Sequence, residues 1–156
     1  MEGSDGMRAV VIGVGNELKA DDGIGLSVAK ELQKDLEGKD TLVIPADVPE
    51  NYIQPIAKFR PELLVLVDTA DFKGKSGEVR AIKDDEMSKV FTSTHSVPLI
   101  LFIEAIKKQA PKTRTIFIGI QPKTLQFGKP MSPEVKKAGR TAADAIRKIV
   151  KGEVKV

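Results

Sequence analysis

Apolar residues in this chain fall into two patterns. In short runs they are contiguous and largely β-branched; in longer stretches they recur every third or fourth position. Ala9-Val10-Val11-Ile12, Thr41-Leu42-Val43-Ile44, Leu63-Leu64-Val65-Leu66-Val67 and Thr115-Ile116-Phe117-Ile118 are the runs. Continuous apolar runs fit strands covered on both faces, as in a parallel sheet. They predict strands over residues 8–14, 41–44, 63–67 and 115–120, with Pro45 closing the second. Residues 78–82 alternate, as an edge strand does. Ile24, Val28, Leu32 and Leu36 recur every four residues and predict a helix over 23–36. Asp21 or Asp22 would cap it and Gly38 would end it. A short helix is expected over 50–59, with Ile53, Ile56 and Ala57 on one face and Pro55 inside it. One helical turn fits residues 84–90. Ser96 and Pro98 open a helix that is strongly apolar on one side from Leu99 to Lys108. Ser132-Pro133-Glu134 opens a last helix, to about Val150. Strands and helices alternate, which implies an α/β fold with a mostly parallel sheet and helices on both faces.

The chain has 156 residues, enough for one domain spanning 1–156. Residues 1–6 read as a frayed leader. Apolar content of 41% argues against disorder. Net charge is only +3, with one Tyr and no Trp, so no basic-aromatic surface for nucleic acid stands out. No apolar run reaches membrane-spanning length and the polar start is unlike a signal peptide, which makes the cytoplasm the default location. Cysteine is absent, which removes disulfides, thiolate metal sites and cysteine nucleophiles together. No long exposed apolar stripe is evident, so a monomer is expected.

Three residues with chemistry to offer fall at one edge of the expected sheet. Asp22 follows the first strand, Asp68 ends the third, and His95, the only histidine, lies in a polar loop just before a helix. In open α/β folds ligands bind at the carboxyl ends of the strands. Two carboxylates and an imidazole suit a divalent cation such as Ni, Zn, Mn or Fe, with a position left open. Such a site, without thiolate or second histidine, would hold metal loosely. Each residue also has a plainer reading: Asp21 and Asp22 as helix caps, Asp68 as an acceptor for loop amides, His95 as a solvated surface residue. H-E-x-x-H needs two histidines, and no G-x-S-x-G elbow is present. Ser93 and Ser96 neighbour His95, but sequence neighbours rarely form a triad. Gly13-Val14-Gly15 after a strand, with Asp47 after the next, suggests a dinucleotide site instead. Leu18 replaces the third glycine of that motif, however, and Asp21-Asp22 would repel a pyrophosphate.

The pattern G-x-G-N-x-L-x-x-D-D-G-x-G, from Gly13 to Gly25, resembles the signature of the hydrogenase maturation endopeptidases. These enzymes remove a C-terminal extension from the large subunit of NiFe hydrogenases. Pro49-Glu50-Asn51, Leu66-Val67-Asp68-Thr69-Ala70-Asp71 and Thr94-His95 match in order and spacing, and the resemblance covers nearly the whole chain. Phe117-Ile118-Gly119-Ile120-Gln121-Pro122 and Pro130-Met131 are most similar to the branch that processes hydrogenase 3, of formate hydrogenlyase. The resemblance implies a three-layer α/β/α sandwich. It implies Asp22, Asp68 and His95 as the metal-binding trio. It further implies that nickel already inserted in the precursor is the recognition signal, supplied by the substrate, with other divalent cations as substitutes in vitro. Two chemistries are open. The metal polarises the carbonyl or activates water, or a carboxylate, Asp22 or Asp68, acts as general base in the manner of an aspartyl protease. One departure stands out: relatives often carry Asp-Gly-Gly after the second strand. Here Ile44 falls at the acid and Asp47 lies three residues on; neither is assigned a role. The alternatives to a protease are a nucleotide-binding module and a metal-dependent protein that docks on a precursor without cutting it.

Overall fold

The computed structural model describes residues 7–87 and 96–154. Five strands form one sheet in the order β2-β1-β3-β5-β4. They are β1 (Ala9–Val14), β2 (Thr41–Ala46), β3 (Leu63–Thr69), β4 (Val79–Lys83) and β5 (Arg114–Ile120). The first three and β5 run parallel, and β4 pairs antiparallel with β5 at the edge, where the alternating segment was expected. Among the described residues four helices cover the faces: α1 (Ile24–Leu36), α2 (Ile53–Phe59), α3 (Ser96–Gln109) and α4 (Pro133–Val150). The result is a three-layer α/β/α sandwich.

Every residue of β1 and β3 is buried, because both faces of these strands are covered. Side chains two apart along a strand share a face, so each strand feeds both cores. Val11, Val65, Val67 and Ile118 pack with α1 and α4, whereas Val10, Leu64, Leu66 and Phe117 pack with α2 and α3. The four-residue stripe on α1, Ile24, Val28, Leu32 and Leu36, is buried as its spacing requires.

The structure departs from the sequence expectations in three places. Pro45 does not close β2, which runs on to Ala46. The amide of Val43 donates to Glu37 and its carbonyl accepts from Gln33, so this residue's backbone groups point away from β1. Pro45 lies two residues on, with its missing N–H on the same free edge, where a ladder bond is not needed. The expected helix over 50–59 divides into a 3-10 turn (Pro49–Tyr52) and α2. Pro55 then falls in the first turn of α2, where its N–H would have had no partner. Finally, neither Asp21 nor Asp22 caps α1. Both lie in a 3-10 turn, Ala20–Gly23, and Gly23 holds the cap position without a side-chain bond.

Candidate active site

Because β1 and β3 are parallel neighbours, Gly13 pairs with Val67 and the chains leaving both strands emerge side by side. Glycine lets the first of these chains turn back tightly. A Cβ on Gly25 would sit 2.1 Å from the Val14 carbonyl oxygen and 2.6 Å from that of Val67, and one on Gly15 would sit 2.1 Å from the Asp22 carbonyl oxygen. The start of α1 is therefore seated directly on the ends of β1 and β3. Ala20, buried and in the left-handed region at φ 52°, completes the turn that presents Asp21 and Asp22.

Asp22 and Asp68 are both buried and are linked through Thr69. The Thr69 hydroxyl donates to Asp22 Oδ1 at 3.1 Å, and the Thr69 amide donates to Asp68 Oδ1 at 2.7 Å. Asp68 Oδ2 is buried and has no hydrogen-bond partner among the described residues. Burial pushes the Asp68 carboxyl well above the ordinary aspartate range, and the charge of Asp22 pushes it the same way, against the hydrogen bonds from Thr69. An unpartnered carboxyl oxygen beside a second carboxylate is a place for a proton or a cation.

His95, the third expected member, lies outside the described residues, as do residues 88–94; Ser96 begins α3. Among the described residues no three acidic or imidazole side chains gather into a metal-ligand set. Asp47, exposed beyond β2, makes no part of the Asp22–Asp68 pair.

Two polar side chains build the walls: Asp21, expected only as a helix cap, and Gln121, expected at this edge but given no role there. Asp21 Oδ2 accepts from the amides of Lys123 (2.8 Å) and Thr124 (3.0 Å) and from the Ser132 hydroxyl (2.9 Å). Its Oδ1 accepts from the Ser132 amide at 2.6 Å. Asp21 thus ties the β5–α4 loop to the β1–α1 turn, and Ser132 spends its hydroxyl on Asp21 rather than on capping α4. Gln121, at the end of β5, does the same for the β3–β4 loop. Its Oε1 accepts from the Phe72 and Gly74 amides and its Nε2 donates to Asp71. The signal for both was in the motifs: a second acid beside Asp22, and a Gln-Pro pair where a parallel strand ends.

The same geometry bears on the dinucleotide reading. A phosphate cradle needs free backbone N–H groups. Here the Gly15 amide donates to the Ala46 carbonyl, the Asn16 amide to the Asp22 carbonyl and the Leu18 amide to Asn16 Oδ1. The two donors that follow the glycine turn most closely, Gly15 and Asn16, are thus spent on the protein's own carbonyls.

Residues 8–149 match a family model described as hydrogenase maturation protease. The chain belongs to the hydrogenase maturation protease family. The hydrogenase 3 maturation protease of Escherichia coli K12 is 34% identical over 136 residues, covering 86% of this chain and 86% of that one. Among solved structures, the NiFe hydrogenase maturation protease HycI of Thermococcus kodakarensis superposes with a TM-score of 0.82 at 32% identity, covering 95% of each chain. The endopeptidase HycI of E. coli gives 0.78 at 32% identity, covering 94% of this chain and 90% of that one. The resemblance to the hydrogenase 3 branch therefore holds, and the maturation protease fold extends from β1 through α4.

Proposed function

We propose that this protein is the endopeptidase that removes the C-terminal extension of a nickel-loaded NiFe hydrogenase large-subunit precursor, acting as a monomer in the cytoplasm. The observation that carries the reading is the buried Asp22–Thr69–Asp68 arrangement at the sheet edge, with Asp68 Oδ2 unpartnered among the described residues. Nickel belongs to the substrate: the precursor brings it, and Asp22, Asp68 and His95 complete its coordination and so recognise a loaded precursor. Imidazole and carboxylate donors suit nickel, and a set without thiolate suits a metal held mainly by the substrate.

Hydrolysis then proceeds by attack of water on the scissile carbonyl. Asp68 takes the proton as the C–O bond forms. The tetrahedral species collapses, the C–N bond breaks, and the leaving amine takes the proton back from Asp68. Burial raises the pKa of the Asp68 carboxyl, which makes it a stronger base than an ordinary aspartate and suits it to accept a proton and return it. The Asp68→Asn variant tests this assignment. The Asn side-chain oxygen can still face the nickel but cannot take a proton, so the variant is expected to retain nickel-dependent binding to the precursor, measured by co-elution, while cleavage is lost. Normal cleavage by Asp68→Asn would remove the carboxylate from the mechanism.

A further inference from the structure

The described surface carries five well-exposed large apolar side chains: Leu18, Val48, Leu101, Phe127 and Val154. Isolated exposed apolar residues are ordinary. Three of these five share one edge of the sheet. Leu18 follows β1, Val48 follows β2 and Phe127 follows β5, so all three leave the sheet at the carboxyl edge, where Asp22 and Asp68 lie. Leu18 and Phe127 are also joined. The Gly128 amide donates to the Leu18 carbonyl at 2.9 Å, which sets the two loops side by side. The loop that carries Phe127 is held by the four hydrogen bonds to buried Asp21, the residue next to Asp22. Beside Leu18 lies a cavity of about 300 Å³, lined by Leu18, Leu26, Pro45, Asn16, Asp47 and Lys30 among others.

We propose that Leu18 and Phe127 are specificity-determining residues. They form an apolar lip, on the same sheet edge as the carboxylates, that takes an apolar side chain of the precursor segment flanking the cleaved bond. This rests on the proteolytic reading above. Leu18 is 59% exposed and Phe127 70% exposed, so both side chains are open to a partner. The clasp at Asp21 keeps the lip at a fixed place relative to Asp22, so an apolar residue seated there fixes which bond reaches the carboxylates. Fixing the lip before binding also spares the entropy of ordering it afterwards.

The test uses the full protein and a nickel-loaded large-subunit precursor. The double variant Leu18→Ser/Phe127→Ser is expected to raise KM about tenfold or more while kcat stays within about twofold, the signature of lost uniform binding. Val154→Ser is the control. It removes a comparably exposed residue beyond the far end of α4, about 27 Å along that helix from the site edge, and is expected to change neither constant. Unchanged melting of all variants establishes that the fold is intact. An unchanged KM in the double variant overturns the lip. So does a wild-type dimer that the double variant dissolves, because the lip would then join two copies of this chain. Biolayer interferometry on the same precursor separates the two proposals. Binding that needs Leu18 and Phe127 but leads to no cleavage by the wild type overturns the proteolytic reading and keeps the lip.

Discussion

Asp68, next to last in β3, has one carboxyl oxygen held by the Thr69 amide and the other unpartnered among the described residues, and its burial makes the folded protein bind its proton more tightly than the unfolded chain does. Burial is the main cause and the neighbouring Asp22 charge the second. Stability linked to this group is therefore greatest below the ordinary aspartate value of 3.8 and is lost as pH rises through the raised folded pKa. Asp68→Asn removes that cost. At neutral pH the variant is expected to melt above the wild type, with the gap closing as pH falls toward 3.8. A variant that melts below the wild type at neutral pH would show that the carboxylate is compensated in the folded state. The neighbouring pair of acids also shows what residue type alone conceals. Asp21 and Asp22 are consecutive and equally buried, yet Asp21 has its oxygens occupied by four donors and serves as a clasp. A helix start normally takes an Asp as its cap, and nothing local distinguishes that use from a bond to a loop more than 100 residues on.

Among the elements, the strand–turn–helix from β1 to α1 sets the site, and glycine makes it possible. Gly25→Ala would force a Cβ against two strand carbonyls, neither able to move without breaking the sheet. A loss of about 3 kcal/mol is expected on urea denaturation. Gly38→Ala is the contrast, since its Cβ would meet only the Leu36 carbonyl, at 3.9 Å. Equal effects from the two would mean that α1 is not seated as tightly as described. Element type could be read from the sequence wherever burial follows period: contiguous Val, Ile and Leu gave β1 and β3, and the four-residue stripe gave α1. It could not be read where the partner decides. Pro45 is a strand residue only because β2 is an edge, and Pro55 is tolerated only because a 3-10 turn precedes it and places it in the first turn of α2. Both depend on neighbours that no local pattern contains.

For the molecule as a whole, parallel order turns distant motifs into one place. Asp22, Asp68 and Gln121 are far apart in the chain, yet each lies just past or at the carboxyl end of a parallel strand, and the sheet order brings those ends together. Their convergence could be inferred from alternation of strands and helices alone; the links through Thr69 and Asp21 could not, because they depend on side-chain bonds across the sheet edge. No helix among the described residues is long and apolar enough to cross a membrane. Family membership adds the class of reaction, and the Asp68 carboxyl, with an oxygen unpartnered among the described residues, is where we propose that it occurs. The central claim is cleavage of a precursor recognised by its nickel. Its most direct test is incubation of the protein with nickel-loaded and nickel-free large-subunit precursor, followed by intact-mass spectrometry, with His95→Ala alongside. Loss of a single C-terminal peptide, only with nickel and only with His95 in place, is the predicted result. An unchanged mass for the nickel-loaded precursor, or equal cleavage without nickel, would contradict it.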